Sequence, residues 1–190
     1  MPKTKAVMTK MIVLTIFIGF TSLTLFFLHR RFGQAWMMPT AITALTVFYH
    51  LAMRLAVGET VTALFRNREF PQDRMGFRLY SFEKGLYRRL KVKQWKLNVI
   101  TAKPEQFEIG QVSPRELLHN VMQAELVHRC IMLLSFVPLL FIIPFGEPAV
   151  FIITSAAACL TDCMFVVIQR YNRPRVIKYV ALAEKRRADI

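Results

Sequence analysis

Acid is scarce in this sequence relative to base. Asp and Glu together number 12 against 26 Lys and Arg, a formal net charge of +14. The exposed parts of the chain are therefore strongly basic, and a carboxylate inside an apolar stretch is conspicuous. Glycine is sparse too, with 7 residues in 190. None forms a phosphate-cradling loop or a dinucleotide fingerprint, and neither G-x-S-x-G nor H-x-x-x-x-D occurs. The three cysteines, Cys130, Cys159 and Cys163, all stand inside apolar runs and form no C-x-x-C. That spacing excludes an ordinary zinc or dithiol site and reads as small buried hydrophobes. Nucleic acid is excluded as a partner because no recognition motif is present and the aromatics lie in or beside apolar runs.

What the chain has in abundance is clumped apolar residue. Hydrophobic side chains make up 54% of it, with a mean hydropathy of +0.35, and they come in blocks long enough to cross a bilayer. The expected fold is an all-α membrane protein with four transmembrane helices and cytoplasmic amphipathic or interfacial helices. The spans fall at about 11–28, 36–57, 126–145 and 149–168 within a single domain covering 1–190. The first apolar block follows Lys3, Lys5 and Lys10 but leads into His29-Arg30-Arg31 rather than a small-residue cleavage site, so it reads as a retained span. The basic loop 60–120 and the basic tail 176–190 share one side, which the positive-inside rule makes cytoplasmic, in the plasma membrane. Arg30 and Arg31 fall on the opposite side from that excess.

The pieces of the loop have recognisable local structure. Ser81 is placed to cap a short helix in which Phe82, Leu86 and Leu90 recur at four-residue spacing, with Lys84, Arg88 and Lys91 on other faces and Trp95 following. Such a helix lies on a membrane surface with its basic side toward phosphates, or packs on the protein itself. Ser113-Pro114-Arg115-Glu116 is a helix start with a capping box. The helix it opens should run without a breaker as far as Pro138 and on into the third span. Phe145-Gly146-Glu147-Pro148 is a tight turn. Pro174 should end the fourth helix at Arg173.

Chemistry-bearing residues gather in two places. Glu125 and His128 are three apart on the helix entering the third span and share a face, the arrangement of a general base that activates a hydroxyl. Gln169, Arg170, Tyr171, Asn172, Arg173 and Arg175 crowd the end of the fourth span, where guanidiniums bind an anionic or strongly polar head group. Equal rises counted from the turn at Gly146 put Glu125 and His128 level with about Val166 to Ile168. The two groups should therefore meet. His50 and Arg54 share a face of the second span; they either face the bundle interior, as further substrate-binding groups, or let Arg54 snorkel to the surface. Asp162 is an acid in the fourth span, open to pairing with Arg54 or His50 or to serving the site. Glu116-x-x-His119 and Glu125-x-x-His128 have the spacing of di-iron bundles, but nine residues apart on one helix they face roughly opposite ways, so no metal is expected.

A resemblance sharpens this reading. Ala124-Glu125-Leu126-Val127-His128, a proline-bearing hydrophobic hairpin, and then Val167-Ile168-Gln169-Arg170-Tyr171-Asn172-Arg173-Pro174-Arg175 resemble the glycosyl-4,4'-diaponeurosporenoate acyltransferase family of staphyloxanthin biosynthesis. The stretch from Phe82 through Tyr87 to Trp95-Lys96 is similar to that family's upstream basic motif, and the likeness extends over about Phe82 to Arg187. It implies transfer of a fatty acyl chain to a hydroxyl of a membrane glycolipid, with His128 and Glu125 catalytic and Arg170, Arg173 and Arg175 holding donor phosphates or the oxyanion. Trp95 joins the substrate-binding set. No bound cofactor is implied; acyl-CoA or another acyl donor is a co-substrate, and the partners are a lipid-linked acceptor and anionic membrane lipids. The alternatives are a non-catalytic protein that grips anionic lipid and another small lipid-modifying transferase. Acceptor, donor and oligomeric state stay open.

Overall fold

The computed structural model describes residues 3–66, 68, 70, 76–95, 104–108 and 110–189. Arg74, Lys96 and Lys103 of the basic loop lie outside the described residues. The helices are α1 (Lys3–Phe32), α2 (Met37–Phe65), α3 (Ser81–Arg89), α4 (Val92–Trp95), α5 (Pro114–Leu134), α6 (Ile142–Phe145) and α7 (Pro148–Ala188). Short 3-10 turns stand at Pro104–Phe107 and Val137–Phe141. Among the described residues there is no strand, and four helical segments are long and apolar enough to cross a membrane: Val7–Phe32, Met37–Phe65, Pro114–Phe145 and Pro148–Ala188.

The chain packs as two compact units, each built from separate stretches of sequence: 1–60 with 130–162, and 61–129 with 163–190. The first unit has an apolar exterior and small polar residues inside. Ile16, Phe17, Phe20, Leu23 and Phe27 of α1 are exposed, whereas Thr15 and Ser22 are buried, the distribution expected when the solvent is lipid. Ser22 Oγ donates to the Ala41 carbonyl at 2.9 Å, and Gly19 lets the Phe48 ring approach so closely that a Cβ there would sit 2.8 Å from it.

The third span is not one helix. Pro138 has no N–H to offer the Leu134 carbonyl four residues back, and α5 stops at Leu134 rather than at Pro138. A 3-10 turn and α6 complete the crossing. The orphaned Leu134 carbonyl is taken by the Tyr49 hydroxyl at 2.9 Å. Gly146 (φ 69°) and Glu147 (φ 52°) form the expected tight turn, and Pro148 opens α7 at a position where a missing N–H costs nothing.

Asp162 is fully buried and pairs with Arg54, which also donates to the Ala158 carbonyl at 3.4 Å. The pair is asymmetric: the Asp162 side chain is 1% exposed and that of Arg54 21%. Removing either partner leaves the other charge uncompensated. Arg54→Leu is therefore expected to be the more damaging, about 3–5 kcal/mol, because the stranded carboxylate has no route to water. Asp162→Leu should cost less, and the double variant should regain most of the loss in a double-mutant cycle read by unfolding in detergent.

The second unit is organised by two apolar clusters. Phe70, Leu118 and Met122 pack with Phe65, Phe77, Leu126, Val176, Ile177 and Val180. Tyr87, Val92 and Ile168 pack with Trp95, Val167 and Tyr171. These contacts explain three departures from the sequence reading. Helix α2 runs past Gly58 to Phe65 because Phe65 joins the first cluster and Thr62 accepts from Gln123 at 2.7 Å. Helix α7 does not end at Arg173: Pro174 lies inside it, and the helix runs on through the basic tail to Ala188. The local penalty of an internal proline, about 3 kcal/mol, is outweighed because Val176, Ile177 and Val180 stay on the face that packs on the first cluster. The cap of α3 is Tyr80, not Ser81. Ser113 caps α5 as expected, its Oγ accepting the Glu116 N–H at 3.2 Å.

Candidate active site

Two acids and three arginines meet at the centre of the second unit. Glu125 on α5 is fully buried, and Arg173 on α7 is 2% exposed. Arg173 Nη1 donates to Glu125 Oε2 at 2.5 Å, and Arg170 Nη1 donates to Glu125 Oε1 at 3.0 Å. Arg129, one turn beyond Glu125, is a third donor to Oε1. Arg170 also grips Glu83 of α3, through Nε at 3.0 Å and through Nη2. Arg170 and Arg173 lie below the level counted from the turn. Side chains tilt toward the N-terminus of their helix, so residues 170 and 173 reach back to meet Glu125.

The same guanidiniums hold the chain ahead of α3. Arg129 donates to the Gly76 carbonyl, Arg173 to Phe77, and Arg170 Nη2 to Arg78 at 2.8 Å. Three successive carbonyls are thus taken by three different arginines, and Arg129 and Arg173 also lie 5.5 and 5.6 Å from the Phe77 ring centroid. A backbone stretch without helical partners is satisfied by planar forked donors, which lysine does not supply.

Glu83 has a second role. Its Oε1 accepts the Tyr80 N–H at 3.1 Å, closing the start of α3, and its Oε2 accepts the Tyr87 hydroxyl at 2.6 Å. Burial pushes the Glu83 carboxyl up, but donation from Arg170, Tyr87 and the Tyr80 backbone wins and holds it below the usual carboxylate value. Its folded pKa is below its unfolded one. The stabilisation is therefore full above the ordinary carboxylate range and is lost as pH falls through the folded value. Burial, then the bond to Glu83, pushes the Tyr87 phenol up to about 12. That stabilisation is full below the ordinary phenol pKa and lost as pH rises through about 12. Ultraviolet titration should show the Tyr87 phenol ionising late, and Glu83→Gln should move it back toward 10.0.

A cleft of about 440 Å³ opens beside this cluster. Glu83, Tyr87, Arg129 and Arg170 give it a polar floor, and Tyr80, Phe82, Leu86 and Val167 give it apolar walls. Such a lining suits the junction between a polar head and a hydrocarbon chain.

The sequence-predicted residues are distributed as follows. Glu125, Arg170 and Arg173 come together. His128 is half-buried with its ring stacked on Phe165 at 4.4 Å, and it is not among the residues lining the cleft. Trp95 and Tyr171 belong to the second apolar cluster. Arg175 is exposed, 3.8 Å over the Tyr171 ring, and donates to the Tyr171 carbonyl. Gln169 has a buried Oε1 without a protein partner, and Asn172 is half-buried. His50 and Arg54 belong to the first unit. Sequence reasoning missed Glu83, Tyr87 and Arg129. The signals were there: Glu83 and Tyr87 are four apart on one face of α3, beside the apolar stripe, and Arg129 follows Glu125 by four.

Fold and cluster define a helical protein with four membrane-length helical segments and a buried carboxylate–guanidinium core beside a cleft of mixed polar and apolar lining. Residues 72–182, more than half of the chain, match the glycosyl-4,4'-diaponeurosporenoate acyltransferase family, and the chain belongs to it. It is accordingly an acyltransferase, of a family named for the acylation of a carotenoid glycolipid. No curated protein and no solved structure matches the chain.

Proposed function

We propose that the protein transfers a fatty acyl group from acyl-CoA or another activated donor to a hydroxyl of a membrane glycolipid, a carotenoid glycoside or a similar sugar-bearing lipid. The observation that carries this reading is the coincidence of the cleft with the family segment: every residue lining it falls within 72–182. The acceptor O–H gives its proton to His128, one residue along α5 from cleft-lining Arg129. The oxygen bonds the acyl carbon, the bond to the leaving group breaks, and the proton passes to that group. His119, the other imidazole of the second unit, is engaged against Phe70 at 5.0 Å.

The arginines divide the work. The donors of Arg170 and Arg173 already face carboxylates and carbonyls, so these two, with Glu125 as counter-ion, hold the site in shape. Arg175, which is exposed, meets the anionic part of the donor or a lipid head group, and Arg129, although it donates to Glu125 and Gly76, keeps part of its surface in the cleft. Two features support work at the cytoplasmic face of the plasma membrane. Phe82, Leu86 and Leu90 are exposed along α3 beside Lys84, Arg88 and Arg89, as on an interfacial helix. The end of α7 adds Lys185, Arg186 and Arg187. Lipid mass spectrometry of membranes with and without the protein tests the reading. A glycolipid heavier by one acyl residue should appear only with it; identical lipid profiles in a strain supplied with acceptor would refute it.

A further inference from the structure

The first unit holds polar groups that the transfer reaction does not use. His50 and Ser155 are 5% and 1% exposed, yet both ring nitrogens of His50 and the Ser155 hydroxyl have no protein partner. An unsatisfied buried polar group costs about 1–3 kcal/mol, so several together in an apolar bundle call for a guest. Arg54 ties the two helices together: it donates to the His50 carbonyl at 3.2 Å on its own helix and to Ala158 and Asp162 on α7. Spans two and four of an alternating bundle run in the same direction. One guanidinium reaches both carbonyls, so His50 comes level with Ala158; Ser155 stands one turn before Ala158, the direction in which the His50 side chain tilts.

We propose that His50, Ser155 and the Arg54–Asp162 pair form a second polar site, inside the bundle of the first unit, that takes the hydroxyl of an uncharged long-chain amphiphile. The charge balance points to a neutral guest, because Arg54 is already compensated by Asp162. A neutral imidazole has one donor and one acceptor, and a serine hydroxyl has both; an alcohol answers each, whereas an anion answers only donors. Ala158, buried three residues after Ser155 on the same face of α7, puts a small side chain beside it. The unit's outer surface is apolar, with Ile152 and Ile153 exposed on the same helix, so a guest arrives from hydrocarbon. His50 and Arg54 precede the family segment, which begins at residue 72. Ser155 and Asp162 lie within that segment, so the site joins residues from before it and from inside it.

The test uses the whole chain in lipid nanodiscs and a long-chain primary alcohol bearing a diazirine on its tail. Photolabelling should fall on peptides of α2 and α7 around His50 and Ser155, and excess unlabelled alcohol should compete while an alkane of equal length does not. His50→Leu removes an unpaired polar group, so it should leave the thermal midpoint unchanged or higher while cutting specific labelling about tenfold, the scale of one hydrogen bond. Ser155→Ala should act in the same direction and gives the answer if His50→Leu fails to fold. Equal competition by the alkane, or labelling unchanged in the folded variant, overturns the proposal and leaves at most an enclosed water. The readout is binding, so it stands or falls independently of the transferase reading.

Discussion

Replacing Glu125 with leucine is expected to remove about 3–5 kcal/mol of stability, the cost of stranding buried charge. The size follows from how many groups depend on it. Arg129, Arg170 and Arg173 all donate to its two oxygens, and without it three guanidiniums face one another with only Glu83 in compensation. The damage should spread: the arginines that hold the Gly76, Phe77 and Arg78 carbonyls would be repelled from their positions. Unfolding in detergent measures the loss, and limited proteolysis ahead of α3 measures the spread. Arg173→Met should cost less, since Glu125 keeps two partners. A Glu125→Leu protein as stable as the wild type would mean that the cluster is not the keystone of this unit.

Replacing His128 should have the largest effect on turnover. A positioned general base contributes about 10²–10⁴-fold, so His128→Ala is expected to lower acyl transfer by at least two orders of magnitude. The ring also stacks on Phe165, and alanine removes that contact too. His128→Phe separates the two roles, because it keeps an aromatic face and removes the nitrogens. If His128 moves the proton, the phenylalanine variant is as inactive as the alanine one while its thermal midpoint stays near that of the wild type. If the ring only packs, phenylalanine restores activity. Glu116→Gln, confined to the exposed first turn of α5, is expected to leave transfer unchanged and serves as a control.

The parts that were legible in the sequence rest on long-range composition and strong local chemistry. Four apolar blocks, the Ser113 cap and the Gly146 turn each have a cause within a few residues. The meeting of Glu125 with the arginines was legible because a short hairpin fixes which residues of two helices come level. What the sequence hid was decided by tertiary competition. Pro174 looks like a stop until Val176, Ile177 and Val180 are seen packed on the far side of it. The third span looks continuous because nothing local announces that Tyr49, 85 residues away, will take the carbonyl that Pro138 releases. Glu83 was passed over for a similar reason. Its helix shows locally only an apolar stripe, while the partner that gives the acid its meaning, Arg170, lies 87 residues further on.

The most direct measurement is ester formation by the purified chain in nanodiscs, given an isotope-labelled acyl donor and a glycolipid acceptor, with the wild type set against Leu86→Trp. Leu86 lines the cleft from an exposed position on α3, so a larger ring there narrows the cleft without entering either apolar cluster. The expected result is labelled glycolipid ester from the wild type and at least about a tenfold lower rate from Leu86→Trp at an unchanged thermal midpoint. No ester from the wild type, or an undiminished rate with the cleft obstructed, would contradict acyl transfer at this site.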